Sequence, residues 1–242
     1  YYARLTRGMA PVDERIGVFG SRIEVRRRPI GVAAGIVPWN FPQALAMLKL
    51  APAMATGCTI VLKPAPETVL DSYLLAEAAV AADVPPGVIN IVPAGREGGA
   101  YLVQHAGVDK VSFTGSTEVG REILRASAGN LKRTTLELGG KAPMIVARDA
   151  DIDLAVNGCV QGALFNSGQV CAAYARFYVD RRRVDEFVEK AAAKAKAMRL
   201  GPGLDETTEL GPLVSEDHLR RVDSYVQSGV DEGAELVTGG GR

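Results

Sequence analysis

The sequence has few histidines and no excess of charge of either sign. His105 and His218 are the only histidines in 242 residues. A Cys–His catalytic pair of the hydrolase type therefore has few candidate histidines. Lys plus Arg equal Asp plus Glu at 28 each, which leaves no overall positive charge to attract nucleic acid or an anionic membrane. The composition therefore does not favour nucleic acid or a membrane surface as a partner.

Cysteine is also scarce. Cys58, Cys159 and Cys171 form an odd, sparse set without a CxxC spacing. Reduced thiols in a cytoplasmic protein fit this pattern better than a disulfide scaffold or a zinc site. We therefore expect no structural metal.

Long hydrophobic runs are missing. The most apolar region, residues 44–62, is interrupted by Lys49, Pro52 and Gly57, so it does not predict a membrane span. The first residues contain no apolar core of a signal peptide. The chain starts without Met and ends in a turn-like run, 238–242, which favours a fragment of a longer protein.

Apolar, β-branched runs alternate with stretches of helical periodicity. The runs are 31–37, 59–62, 87–92, 110–113 and 133–136, and the clearest helical stretches are 42–56 and 68–82. This alternation predicts an α/β fold with a doubly wound, Rossmann-like parallel sheet. The order of the strands is not predicted.

A polar or small residue follows each predicted strand. These residues are Asn40, Lys63, Gly95, Ser116 and Glu137. Because ligands bind beyond the carboxyl ends of the strands in open α/β sheets, we expect these five positions to line one edge.

The pattern restarts after Gly140. It predicts a strand over 142–146, a helix over 152–164 with Asp151 as its N-cap, a strand over 176–179 and a helix over 184–198. We expect two domains, 1–138 and 139–242, so that Cys171 and Glu137 come from different ones.

Residues 20–28 alternate apolar and charged side chains, which is typical of a half-exposed strand. The triplet 26–28 is Arg-Arg-Arg, but without interleaved aromatic residues it is weak evidence for nucleic acid. A solvated or interface strand is favoured.

Two groups near the strand ends have open interpretations. The stretch Gly115–Gly120 could bind a phosphate at a helix N-terminus, but it lacks the middle glycine of G-x-G-x-x-G and is equally a plain turn. Lys63 is by default a surface lysine, or a ribose or phosphate contact if the edge binds a ligand.

Glu137 and Cys171 have the side chains best suited to catalysis. Glu137 ends an apolar strand, and poor hydration would raise its pKa towards that of a general base; pairing with Lys141 or an arginine is the equal alternative. Cys171 follows a loop of small residues where a thiol is accessible, although taken alone a structural role is favoured. Cys58 and Cys159 sit in apolar patterns typical of a core.

Five motifs occur together and in order: Pro38-Trp39-Asn40-Phe41-Pro42, Lys63-Pro64, Phe113-Thr114-Gly115-Ser116-Thr117, Leu136-Glu137-Leu138-Gly139-Gly140-Lys141 and Gly168-Gln169-Val170-Cys171. In this combination the chain closely resembles the aldehyde dehydrogenase superfamily over essentially its whole length.

The resemblance implies an NAD(P)-dependent oxidation of an aldehyde to a carboxylic acid. Cys171 would be the nucleophile, and the Asn40 amide with the Cys171 backbone N–H would hold the oxyanion. Glu137 would activate the water that hydrolyses the thioester.

The resemblance also implies a set of cofactor contacts. They are Ile36, Val37, Pro38, Trp39, Lys63, Glu67, Gly95, Gly99, Phe113, Gly115, Ser116, Val119, Leu138 and Gly139. NAD-preferring members often place a Glu where Pro66 stands here, and Glu67 follows one residue later. We expect NAD, with NADP as the alternative.

Family members are roughly twice as long, so the resemblance implies that part of the cofactor domain and a C-terminal segment are absent. The strand near residues 15–29 resembles part of an oligomerisation arm, which implies a homo-oligomer, a dimer or tetramer, for the full-length form. The presence of Glu137 disfavours a CoA-acylating relative. The competing hypothesis is a catalytically incompetent fragment that binds only nucleotide or subunits.

Overall fold

A five-stranded parallel sheet organises residues 1–138 in the computed structural model, which describes residues 1–241. These residues form the first of two compact units. In chain order, its elements are α1 (Tyr2–Arg7), β1 (Val12–Ile16), β2 (Arg22–Arg26), β3 (Val32–Ile36), α2 (Pro42–Ala55), β4 (Thr59–Lys63), a short 3-10 turn (Pro66–Thr68), α3 (Val69–Ala81), β5 (Ile89–Ile91), α4 (Arg96–Gln104), β6 (Lys110–Gly115), α5 (Thr117–Ser127) and β7 (Arg133–Leu138).

The strand order is β5-β4-β3-β6-β7, and every neighbouring pair is parallel. From β3 the chain winds outward through β4 and β5 and then returns to β6 and β7 on the other side. The predicted doubly wound α/β sheet is therefore confirmed, and its winding reverses beside β3, where such folds form a crevice.

Both faces of this sheet are covered, which explains why its strands read as nearly continuous apolar runs. One core joins α2 to β3 and β4, with Leu50, Ile60 and Leu62 among its buried members. The other joins α4 and α5 to β3 and β6 through Val103, Val111 and other buried side chains.

Strands β1 and β2 form a separate antiparallel ribbon. Residues 20–28 were predicted to form a solvated or interface strand, and β2 lies within them; four of its five residues are exposed and Val25 is half-buried. The reason is that the ribbon stands apart from the five-stranded sheet. Its ion pairs, such as Arg26 with Glu24 at 2.6 Å, are solvent-exposed and therefore contribute little stability.

The second unit begins at Gly139. It contains β8 (Ala142–Val146), α6 (Ile152–Leu164), a 3-10 turn (Phe165–Gly168), β9 (Tyr174–Val179), α7 (Val184–Lys196) and α8 (Glu216–Asp231). Strands β8 and β9 pair in parallel, and α6 and α7 pack with them around Val146, Val156 and Phe187. Helix α8 has no counterpart among the predicted elements.

The predicted N-cap of α6 is confirmed. The Asp151 carboxylate accepts hydrogen bonds from the backbone N–H groups of Asp153 and Leu154 at 3.0 and 3.1 Å. Within residues 1–241, no helix combines the length and apolar character needed to cross a bilayer.

Candidate active site

The parallel sheet brings five predicted positions to the edge formed by the carboxyl ends of its strands, here called the carboxyl edge. Lys63 and Glu137 lie within the last two residues of β4 and β7, Ser116 directly follows β6, and Gly95 and Asn40 lie four residues beyond β5 and β3. Across the edge their order is Gly95, Lys63, Asn40, Ser116, Glu137. Because all five strands are parallel, this grouping follows from topology alone.

Lys63 is buried, with 7% of its surface exposed, so the default interpretation as a surface lysine was wrong. Its Nζ donates to the backbone carbonyls of Pro64 at 2.9 Å and Ala94 at 2.8 Å. Burial lowers the Lys63 pKa, and the nearby Glu67 carboxylate acts in the opposite direction. An ammonium has three protons to donate, so two carbonyl contacts leave one for a ligand.

A cavity of about 400 Å³ lies beside Lys63, between α4 and α5. Among the predicted cofactor contacts, its lining includes Ile36, Lys63, Gly99, Phe113 and Val119. The Val37 side chain instead packs in the core on the α2 face of the sheet.

Gly99 lets the Lys63 stem pack closely against α4. A Cβ at this position would lie 3.3 Å from Cε of Lys63, which is tight even for buried side chains. A side chain here would crowd the Lys63 stem, and Gly99 also lines the adjoining cavity.

The start of α5 presents backbone donors at the carboxyl edge. Ser116 is its N-cap, and Ser116 Oγ accepts from the Val119 N–H at 3.3 Å. A side chain at Gly115 would collide with the Phe113 ring. A helix N-terminus leaves backbone N–H groups without intrahelical acceptors, and such groups can bind an anion.

Glu137 is exposed, so the expected poor hydration of this carboxylate was wrong. Strand β7 lies at the edge of the sheet, and its residues alternate between exposed and half-buried. Glu137 falls on the exposed set because side chains on a strand alternate with a period of two.

Lys49 is a functional candidate that the sequence reasoning missed. It lies in α2 with 6% of its surface exposed, and its Nζ donates to Thr114 Oγ1 at 2.7 Å. Burial lowers the Lys49 pKa to about 8, and Glu137 acts in the opposite direction. A charged residue inside the most apolar stretch of the chain was the signal that could have identified it.

Cys171 belongs to the second unit, whereas Asn40 and Glu137 belong to the first. It lies between the 3-10 turn and β9 and is exposed, while Cys58 and Cys159 are buried. The expected core positions of those two cysteines are confirmed. Burial raises the Cys159 pKa, which makes its thiol a poorer nucleophile.

The model of the aldehyde dehydrogenase family matches residues 1–242. The geranial dehydrogenase of Castellaniella defragrans is 48% identical over 242 residues, which are the whole chain and 50% of that protein. An aldehyde dehydrogenase of Mycobacterium tuberculosis, solved in complex with NAD+, superimposes with a TM-score of 0.97 at 42% identity and covers 100% of the chain. An NADP-dependent enzyme of E. coli has a TM-score of 0.94 at 40% identity and covers 99%.

The chain spans about half the length of these relatives, 50% of each. The matched half nevertheless includes the carboxyl edge, the Lys63 cavity and the Cys171 turn. With the family model matched from the first residue to the last, the chain belongs to the aldehyde dehydrogenase family.

Proposed function

We propose that the protein oxidises an aldehyde to a carboxylic acid with NAD(P)+, using Cys171 as the nucleophile. The observation that carries this proposal is the contrast among the three cysteines, of which only Cys171 is exposed. A nucleophile that attacks a substrate carbon must be accessible, and the buried thiols are not.

In the first half-reaction the Cys171 thiolate attacks the aldehyde carbon and forms a C–S bond. The carbonyl oxygen becomes an oxyanion, which the Asn40 carboxamide and the Cys171 backbone N–H stabilise by hydrogen bonds. NAD(P)+, when bound, supplies the hydride acceptor. Loss of the hydride from the substrate carbon leaves a thioester on Cys171.

In the second half-reaction Glu137 takes a proton from water as the water attacks the thioester carbon. The C–S bond breaks, the carboxylic acid leaves and the Cys171 thiolate is restored. Exposure of Glu137 supports this role, because the base must have access to water. Lys49, with a pKa of about 8, can exist in both protonation states near neutral pH and so tune the charge beside Glu137.

The cavity between α4 and α5 supports a dinucleotide in the first unit. Its walls include the apolar Ile36, Val103 and Val119, which suit the faces of an adenine ring. The third Lys63 proton would serve a ribose hydroxyl, and the α5 N-terminus would hold a phosphate. The residues present therefore fit the adenosine part of NAD(P).

We propose NAD as the preferred cofactor and NADP as the alternative. The mycobacterial relative was solved with NAD+, and the E. coli relative is described as NADP-dependent. In the chain itself, Glu67 lies close enough to influence Lys63 electrostatically. A carboxylate there would accept from ribose hydroxyls and repel a 2′-phosphate.

We further propose that residues 1–138 are part of the cofactor-binding domain and that residues 139–242 are part of the catalytic domain. The β1–β2 ribbon would serve as part of an oligomerisation arm in a homo-oligomer. Its exposed Val18 and Phe19, at 96% and 98%, are apolar residues of the kind that subunit contacts bury.

The test is NAD(P)H formation with a panel of aldehydes, in the chain and in a form extended to the length of its relatives. We expect Cys171→Ala to abolish turnover and Glu137→Gln to accumulate a thioester detectable as added mass on the Cys171 peptide. Undiminished turnover in Cys171→Ala would exclude the thiol mechanism, and normal steady-state rates in Glu137→Gln would exclude that base.

The second candidate is a nucleotide-binding protein without catalysis, favoured by the cavity because it lies wholly within the first unit. It requires NAD binding by calorimetry together with no turnover in either form. Turnover only in the extended form would instead show that the chain needs the rest of the protein.

A further inference from the structure

The turn that leads to Cys171 has an unusual backbone. Asn166 and Ser167 have φ values of 51° and 57°, and Gly168 has a φ of 76°. Three consecutive residues in the left-handed region include two with a Cβ, for which that region is strained. Such strain persists only where surrounding contacts hold it.

Ser167 in this turn and Gln169 directly after it bond to a segment more than forty residues later in the sequence. Ser167 Oγ donates to the backbone carbonyl of Gly211 at 2.7 Å. Gln169 Oε1 accepts from the Val214 N–H at 2.9 Å. Both contacts are partly buried, which protects them from competition with water.

Gln169 also closes the turn on itself. Its Nε2 donates to the Asn166 carbonyl at 3.0 Å, and its backbone N–H donates to the same oxygen at 3.1 Å. One carboxamide therefore joins the strained turn to the segment 211–214.

The segment 211–214 is itself held at both ends. On one side, Ser215 is the N-cap of α8 and its Oγ accepts from the His218 N–H at 3.2 Å. On the other side, the Leu210 carbonyl accepts from the Gly201 N–H at 3.3 Å. A fixed segment can hold a strained turn, whereas a mobile one cannot.

The residues after Cys171 are also anchored. Tyr174 starts β9, and its ring lies directly against Gly162 of α6, where any side chain would collide with it. The loop 170–173, which contains Cys171, therefore connects two anchored residues, Gln169 and Tyr174.

We infer that Ser167 and Gln169 are positioning residues, which hold the turn 166–168 against the segment 211–214 and thereby set the position of the Cys171 thiol and backbone N–H. This inference rests on the proposed function for its catalytic consequence, but the hydrogen-bonded clamp itself does not. Relaxation of the turn would move the thiol and its N–H together. A displacement of about 1 Å in a reacting group can cost about a hundredfold in rate.

The clamp is tested by amide hydrogen exchange on Gln169→Ala, Gln169→Glu and a control, Gln227→Ala, which removes an exposed carboxamide bonded to Asp231 in α8. We expect faster exchange in peptides covering 165–173 and 211–214 for Gln169→Ala. Gln169→Glu keeps an oxygen for the Val214 N–H and should remain closer to the parent. Unchanged exchange in both segments of Gln169→Ala would overturn the clamp.

A second pair of variants distinguishes loss of the clamp from general destabilisation of the protein. Ser167→Gly removes the hydroxyl but tolerates the left-handed backbone, whereas Ser167→Ala removes the hydroxyl and keeps the strain. Exchange in 165–173 should therefore be faster in Ser167→Ala than in Ser167→Gly. The reverse order would contradict a strained turn held by the clamp.

The positioning role is tested by the pre-steady-state burst of NAD(P)H in the extended form. We expect the burst rate to fall about a hundredfold in Gln169→Ala, with partial recovery in Gln169→Glu and an unchanged KM for the cofactor. If amide exchange is faster in Gln169→Ala but the NAD(P)H burst is not slower, the proposed positioning role of Gln169 is wrong. Failure of the proposed function is read separately, from activity that survives Cys171→Ala.

Discussion

At the scale of single residues, buried lysines are the main departure from the sequence pattern. Lys49, Lys63 and Lys132 are all buried, and burial lowers the pKa of each. Lys63 and Lys132 donate to backbone carbonyls, whereas Lys49 donates to the neutral Thr114 hydroxyl. Burial lowers the Lys49 pKa to about 8, so the protonation state of Lys49 changes near that pH.

Replacing Lys49 should change how stability depends on pH. The folded pKa of about 8 lies below the ordinary value of 10.5, so between these values the unfolded chain binds more protons than the folded chain. The cost of burying Lys49 is thus full below pH 8 and disappears as the pH rises towards 10.5. The parent should gain up to about 3 kcal/mol relative to Lys49→Met across this window.

Urea denaturation of both proteins at pH 8 and at pH 10.5 measures this gain. Lys190→Met is the matched control, because hydrogen bonds to Asp153 and Glu186 raise the Lys190 pKa and no gain is expected over the same window. A stability difference between parent and Lys49→Met that does not change with pH would contradict the lowered pKa.

At the scale of elements, the pattern of neighbouring residues predicted the type and bounds of individual helices and strands. The strand 142–146 was predicted with its observed bounds, and β9 begins two residues before the predicted start, at Tyr174. The helix 152–164 was also predicted with its observed bounds and with Asp151 as its N-cap. On α7, Lys190 forms ion pairs with Asp153 and Glu186.

Removing the N-cap of α6 should destabilise the second unit. Asp151→Ala leaves the N–H groups of Asp153 and Leu154 without their present acceptor, at a cost of about 1 kcal/mol. Asp151→Asn should lose less, since its side-chain oxygen can still accept. Chemical denaturation monitored in the second unit measures the cost.

Asp149→Ala is the control, because Asp149 is an exposed residue in the loop before the cap. It should change stability by less than half as much as Asp151→Ala. Equal effects of the two substitutions would show that loss of loop charge, rather than loss of the cap, explains the change.

At the scale of the whole molecule, the chain separates its candidate chemistry between two units. The first contains the carboxyl edge with Asn40 and Glu137, and the second contains the Cys171 turn with its clamp. Each unit has its own buried core. The burial of the cysteines therefore reports on both units, since Cys58 lies in the first and Cys159 in the second.

Thiol labelling should distinguish the three cysteines in the native chain. Iodoacetamide should label Cys171 while Cys58 and Cys159 stay protected by burial. In denaturant all three should react. Mass spectrometry of the peptides measures the label, and rapid native labelling of Cys58 or Cys159 would show that the corresponding core is open.

The amino-acid sequence by itself determined the α/β class, the alternation of strands and helices, the accessible Cys171 and the polar or small residues that follow each strand. These features depend on periodicity and on neighbouring residues, which act over short distances along the chain. Tertiary structure decided the strand order, the burial of Lys49 and Lys63, the exposure of Glu137 and the clamp on the Cys171 turn. Each of these depends on residues far apart in sequence, as in the contacts of Gln169 with Val214 and of Lys49 with Thr114, and packing of the folded chain is what brings such residues together.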